Sequence, residues 1–161
     1  MKRPILFIFF VCLILYGKGQ NNIRGIGQWR EHYNNQSVRQ IIVSNLLNGQ
    51  QKIFGATPYQ IFSVDNKKNI ELIGKSNGLH DVSIACTAWD IEQEQLIVAY
   101  DNSNIDIIQE DQVYSINELY LSNLYPNKKI NAIYVLHQWA IVSTDFGLIV
   151  IDLIKHEIKD T

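Results

Sequence analysis

Three stretches of the chain share one pattern of hydrophobic and polar positions. KIFGATPYQIFSVD (Lys52 to Asp65), QLIVAYDNSNIDII (Gln95 to Ile108) and AIVSTDFGLIVIDL (Ala140 to Leu153) each run as an apolar strand, a small residue, a polar turn and a second apolar strand. Aligning the small residues Ala56, Ala99 and Ser143 gives a period of 43 and then 44 residues. That spacing is the repeat of a four-stranded propeller blade. A further strand precedes each pair: VRQIIVSNLL (Val38 to Leu47), VSIACTAWD (Val82 to Asp90) and INAIYVLH (Ile130 to His137). All three are rich in the β-branched and aromatic residues that suit a pleated strand. NIELIG (Asn69 to Gly74), VYSI (Val113 to Ile116) and KHEIKDT (Lys155 to Thr161) supply a fourth strand to each unit. The expected order is therefore A, B, C, D in a meander with short links such as Asn48-Gly49.

The runs Ile97-Val98-Ala99 and Leu148-Ile149-Val150-Ile151 are apolar at successive positions, so both faces of those strands are greasy. A half-solvated sheet alternates polar with apolar, whereas a blade lies between two neighbours and is covered on both sides. A parallel sheet would need crossover helices of a dozen residues, and no stretch has that amphipathic pattern. The expected fold is all-β: a β-propeller fragment of about three four-stranded antiparallel meander blades. Three units do not close the ring that removes exposed edges, so residues 20–161 read as the N-terminal part of a truncated propeller.

Residues 1–19 are set apart from this pattern. Lys2 and Arg3 precede an apolar run from Ile5 to Tyr16, followed by the small residues Gly17 and Gly19. This is the plan of a secretory signal peptide, with cleavage expected between Gly19 and Gln20. The rival reading, a membrane anchor, calls for about 20 apolar residues, more than the run contains. Phe10 and Val11 before Cys12 are not the small residues of a lipid attachment site. With the leader removed, the 14 Lys and Arg fall by three while the 16 Asp and Glu remain. An acidic surface of that kind argues against nucleic acid as a partner. Cys86 is then left alone between apolar neighbours, an inert thiol without a disulfide framework.

GIGQWREHYNNQSV, KSNGLHDVSI, LIVAYDNSNIDII, KKINAIYVL and above all STDFGLIVIDLIKHEIKDT resemble the first β-propeller of PorZ-like proteins, large surface proteins of the type IX secretion system in Bacteroidetes. The resemblance covers essentially all of the chain after residue 19, but only the beginning of such a protein. More loosely, the repeats are similar to those of two-component sensors. The first resemblance implies an exported, non-enzymatic protein at the outer membrane or cell surface, with the periplasm as the alternative, and without cofactor. It implies partners too: the other proteins of the attachment complex, and anionic lipopolysaccharide, which the sortase component joins to secreted cargo. No binding motif of the family falls on residues of this chain. The rival functions are the periplasmic sensor half of a hybrid two-component regulator and a propeller-based glycan hydrolase.

Antiparallel strands return every second link to the same side, so the B–C turns and D–A links of all blades share one rim. The candidate binding residues there are Tyr59, Asp101, Asn104, Lys128, Lys129, Asp145 and Phe146. Surface links of this kind vary without disturbing the strands that carry the core. Lys128 and Lys129 form the basic pair that an anionic glycan would use, while Tyr59 and Phe146 suit a protein partner. The opposing account makes Phe146 a plug between blades and the lysines merely solvated. Asp101 and Asp145 occupy matching turn positions and read as carboxylates accepting backbone N–H bonds rather than as an acid and base pair. DNSNID (Asp101 to Asp106) lacks the sixth-position glycine and distal glutamate of a calcium loop. His32, His80, His137 and His156 are scattered, without metal-ligand spacing. Neither a catalytic residue nor a metal or cofactor ligand is expected.

Overall fold

The computed structural model describes residues 37–160. They form three four-stranded antiparallel sheets, each a simple meander. The first blade consists of β1 (Gln40–Asn45), β2 (Gln51–Ala56), β3 (Ile61–Asp65) and β4 (Ile70–Ile73). The second consists of β5 (Ile84–Asp90), β6 (Gln95–Tyr100), β7 (Ile105–Gln109) and β8 (Gln112–Ile116). The third consists of β9 (Ile130–Leu136), β10 (Trp139–Thr144), β11 (Leu148–Asp152) and β12 (Glu157–Asp160). The small residues that mark the repeat hold one register position: Ala56 pairs with Ile61, Ala99 with Ile105 and Ser143 with Leu148. The three blades do not close a ring, as the repeat count predicts.

The faces differ from blade to blade. Every residue of β6 is buried. Alternate residues of that strand serve two cores, Leu96, Val98 and Tyr100 packing toward the first blade and Ile97 and Ala99 toward the third. The outer faces of the flanking blades have no such cover among the described residues. Ile41 and Ile70 on the first are about 70% exposed (69% and 70%), and Tyr134 and Leu148 on the third are 66% and 61% exposed. The apolar pattern is thus continuous across all three sheets, but burial on both faces is realised only in the middle one.

Buried carboxylate and amide side chains inside the stack are satisfied by contacts that tie its elements together, while the buried indole nitrogen of Trp89 has no hydrogen-bond partner among the described residues. Asp106, fully buried, accepts the Tyr100 hydroxyl at 2.6 Å and the His80 backbone N–H at 2.8 Å. Burial and that hydrogen bond push the Tyr100 phenol well above its ordinary pKa, so it stays a neutral donor. Gln95 bridges the second and third blades, its Nε2 donating to Asp90 Oδ2 (2.9 Å) and to the Leu153 carbonyl (3.0 Å). Two short helical pieces, neither signalled by the strand pattern, lie in the D–A links: a 3-10 turn at Lys75–Asn77 and α1 (Glu118–Leu121). One leucine from each link, Leu79 and Leu119, is buried at 3% exposure.

Candidate functional site

The rim is built from tight turns that each hold themselves closed. In the first blade Thr57 N donates to Gln60 O at 2.9 Å, and Gln60 N donates back to Thr57 Oγ1 at 3.1 Å. Thr144 and Gly147 repeat the arrangement in the third, with N–H···O at 2.9 Å and return at 3.2 Å. Gly147 has φ 155, a conformation that suits a residue without Cβ. In the second blade Tyr100 N donates to Asn104 O at 3.0 Å, with Ser103 at φ 74. Each turn is also bonded to a D–A link or to the strand residue that follows it. Ile84 N donates to Pro58 O (2.8 Å), Asp101 N to Ser83 O (2.9 Å) and Asp145 N to Lys129 O (3.1 Å). Ser103 Oγ donates to Lys128 O at 2.7 Å. These bonds carry the rim from blade to blade as one continuous surface.

The candidate residues take different places on that surface. Lys128, Lys129, Asp145 and Phe146 come together where the link into the third blade meets its B–C turn. Asp101 and Asn104 lie on the neighbouring turn, and Tyr59 stands one blade further on. Asp101, Lys129 and Asp145 are exposed, and Tyr59 is 41% exposed. Asn104 is buried, its position at the entry to β7 turning it away from the surface. Lys128 is half-buried and its Nζ donates to the carbonyls of Tyr120 and Ser122, both at 2.7 Å. Asp145 accepts the amide groups of Asn127 (2.6 Å) and Asn131 (2.8 Å). Phe146 stacks on Tyr125 with ring centroids 3.8 Å apart and planes 6° from parallel.

This stack and these ties brace a feature that the strand pattern alone does not reveal. The link from Asn117 to Lys129 carries Tyr120, Leu121 and Leu124 at 49%, 63% and 82% exposure. The preceding link, residues 74–83, joins equivalent strands with fewer residues and no large apolar side chain so exposed. The fold needs the buried leucine, Leu119, but not the three exposed side chains that follow it. The signal in the sequence was the composition of ELYLSNLYP, apolar at positions with neither helical nor strand periodicity.

The chemistry this arrangement offers is that of contact rather than of proton transfer. Asp101 and Asp145 stand on separate blades, and both oxygens of Asp145 are occupied by amide donors. Burial, with a smaller contribution from Asp101, pushes the Cys86 thiol up to about 11, which keeps the nucleophilic thiolate scarce at neutral pH. Among the described residues no group of three His, Cys, Asp or Glu side chains is placed to hold a metal ion.

Comparison with known proteins follows the same architecture. Residues 53–161 match the family described as "TSS9, PorZ, N-terminal beta-propeller domain". Among solved structures the chain is similar to PorZ of Porphyromonas gingivalis, described as an essential bacterial surface component of the type IX secretion system. The two share 23% sequence identity with a TM-score of 0.63, a likeness of fold. The match covers 77% of this chain and 17% of that one. No curated protein matches at a significant level.

Proposed function

Because the chain belongs to the family of PorZ N-terminal β-propeller domains, we propose that it serves as a non-catalytic binding and scaffold module of a type IX secretion system at the cell surface. On this reading the rim contacts other proteins of the attachment complex, and the protein engages anionic lipopolysaccharide. The observation that carries the proposal is the braced link with Tyr120, Leu121 and Leu124 exposed beside the Tyr125–Phe146 stack. Exposed apolar groups on a rigid support are the usual core of a protein contact, because association removes them from water without a large ordering cost. An anionic ligand falls to Lys129, since the Lys128 ammonium is held by two carbonyls. Export of the chain rests on the leader at residues 1–19, which lies outside the described residues.

The test uses the full-length protein in three folded variants: Leu121→Ser with Leu124→Ser, Tyr59→Ala, and Lys129→Ala. The leucine pair is expected to lower capture of the attachment partners by about tenfold or more, in line with loss of a central apolar anchor. Lys129→Ala is expected to weaken lipopolysaccharide binding, most visibly at low salt. Retention of all binding by all three variants would place the contacts elsewhere in the protein and end the rim assignment.

A further inference from the structure

A cleft of about 240 Å³ opens between the first and second blades, lined from the A–B and C–D turns and so on the side opposite the rim. A second hollow of about 290 Å³ shares Glu71, Ile73, Ile108, Glu110 and Asp111 with it and continues along the flank to Val113 and to Asn77 in the link before β5. Its floor is apolar and aromatic: Phe54 stacks on Trp89 with ring centroids 5.6 Å apart, and Leu96 and Ile108 complete it. Its mouth is acidic, with Glu71, Glu94, Glu110 and Asp111 against Lys52 as the basic side chain.

Comparison of the repeats shows why the cleft is open. In the second blade the row Ile97, Ile107 and Tyr114 runs across three paired strands, and Tyr114 closes the interface by packing on His156 of the third blade at 4.1 Å. The matching row of the first blade is Phe54, Ser63 and Glu71. A serine and a glutamate stand where the other interface has an isoleucine and a tyrosine. Across the gap, the C–D turn of the second blade presents Glu110 and Asp111 in place of a ring. Among the described residues Glu71, Glu110 and Asp111 make no ion pair. Like charges collected at one apolar cleft are unfavourable until a cation enters.

We infer that this cleft is a binding site for a lysine or arginine side chain of an extended peptide segment. The carboxylates are too dispersed to ligate a metal ion, which leaves an organic cation. The aromatic floor suits the aliphatic stem and charged head of such a side chain. The hollow along the flank gives the flanking backbone a path. The Trp89 ring stacked on Phe54 forms part of the same wall.

The inference does not rest on the candidate rim residues and is tested with a defined probe. Calorimetric titration of the full-length protein with a blocked tetralysine peptide, at low and at physiological salt, should show binding that weakens as salt rises. Glu110→Gln with Asp111→Asn, at an exposed turn, should reduce the affinity about tenfold. Glu118→Gln with Glu157→Gln, an equal change of charge elsewhere, should leave it unchanged. Absence of binding to the wild-type protein, or equal losses in both double variants, would overturn the proposal. Spermidine supplies charge without a backbone, so binding as tight as that of the peptide would also overturn it.

Discussion

At the residue scale, His156 shows how a single side chain links two blades and responds to pH. Its Nε2 lies 3.1 Å from Gln95 Oε1, its ring packs on Tyr114, and its backbone takes φ 55 in the turn before β12. Burial lowers its pKa below the ordinary 6.5, against an opposing pull from Asp152. The sign follows from proton linkage. Above the unfolded value both folded and unfolded chains carry a neutral ring, and the contribution of His156 to stability is fully present. As pH falls below that value the unfolded chain takes up the proton first, and stability is lost until the folded ring titrates as well. Thermal melts of the full-length protein should therefore drop between near-neutral and mildly acidic pH. The drop should be smaller in His156→Gln, and identical slopes in the two proteins would show that the ring does not contribute.

At the scale of the element, the middle strands carry the stack. Ile97 on β6 is fully buried and pairs with Ile107 on β7, in the core shared with Ile149 and Ile151 of β11. Truncation there removes transfer energy and leaves a cavity between two sheets that cannot easily close on each other. Ile97→Ala is expected to destabilise by about 2–5 kcal/mol. Native-state hydrogen exchange of the β6 amides in the full-length protein reads this as lost protection. A loss below about 1 kcal/mol would mean that the blades repack as freely as an exposed surface does.

At the scale of the whole molecule, the uncovered faces decide the behaviour of the segment. Ile41, Val43, Ile53, Ile70 and Leu72 on the first blade, with Tyr134, Leu136 and Leu148 on the third, form two apolar surfaces. Exposed apolar sheet faces associate, and repeat units draw much of their stability from neighbours. Residues 20–161 expressed alone should run as concentration-dependent oligomers in analytical ultracentrifugation. A monodisperse monomer with a sharp cooperative melt would contradict this. Export is a second property at this scale. The exported protein is expected to begin at Gln20 or its pyroglutamate by mass spectrometry, and an intact Met1 would reject the leader assignment.

The repeat of 43 and 44 residues, the alternation of strand and turn, and the small residues Ala56, Ala99 and Ser143 determine the blades, because side-chain periodicity and turn chemistry act within a few residues of each other. The same local rules place the B–C turns and D–A links on one rim. They could not say that Asn104 turns inward, that Lys128 caps the carbonyls of Tyr120 and Ser122, or that Phe146 lies flat on Tyr125. Those outcomes depend on how each link folds back on itself and on which turn it lies beside: Asn127 meets Asp145 18 residues on, and Ser103 of the second blade meets Lys128 25 residues on, only once the link is laid against the turns. The open cleft is of the same kind. Ser63 and Glu71 look like ordinary strand residues until the second blade sets Glu110 and Asp111 against them, because shape and charge complementarity between sheets are properties of the packed stack.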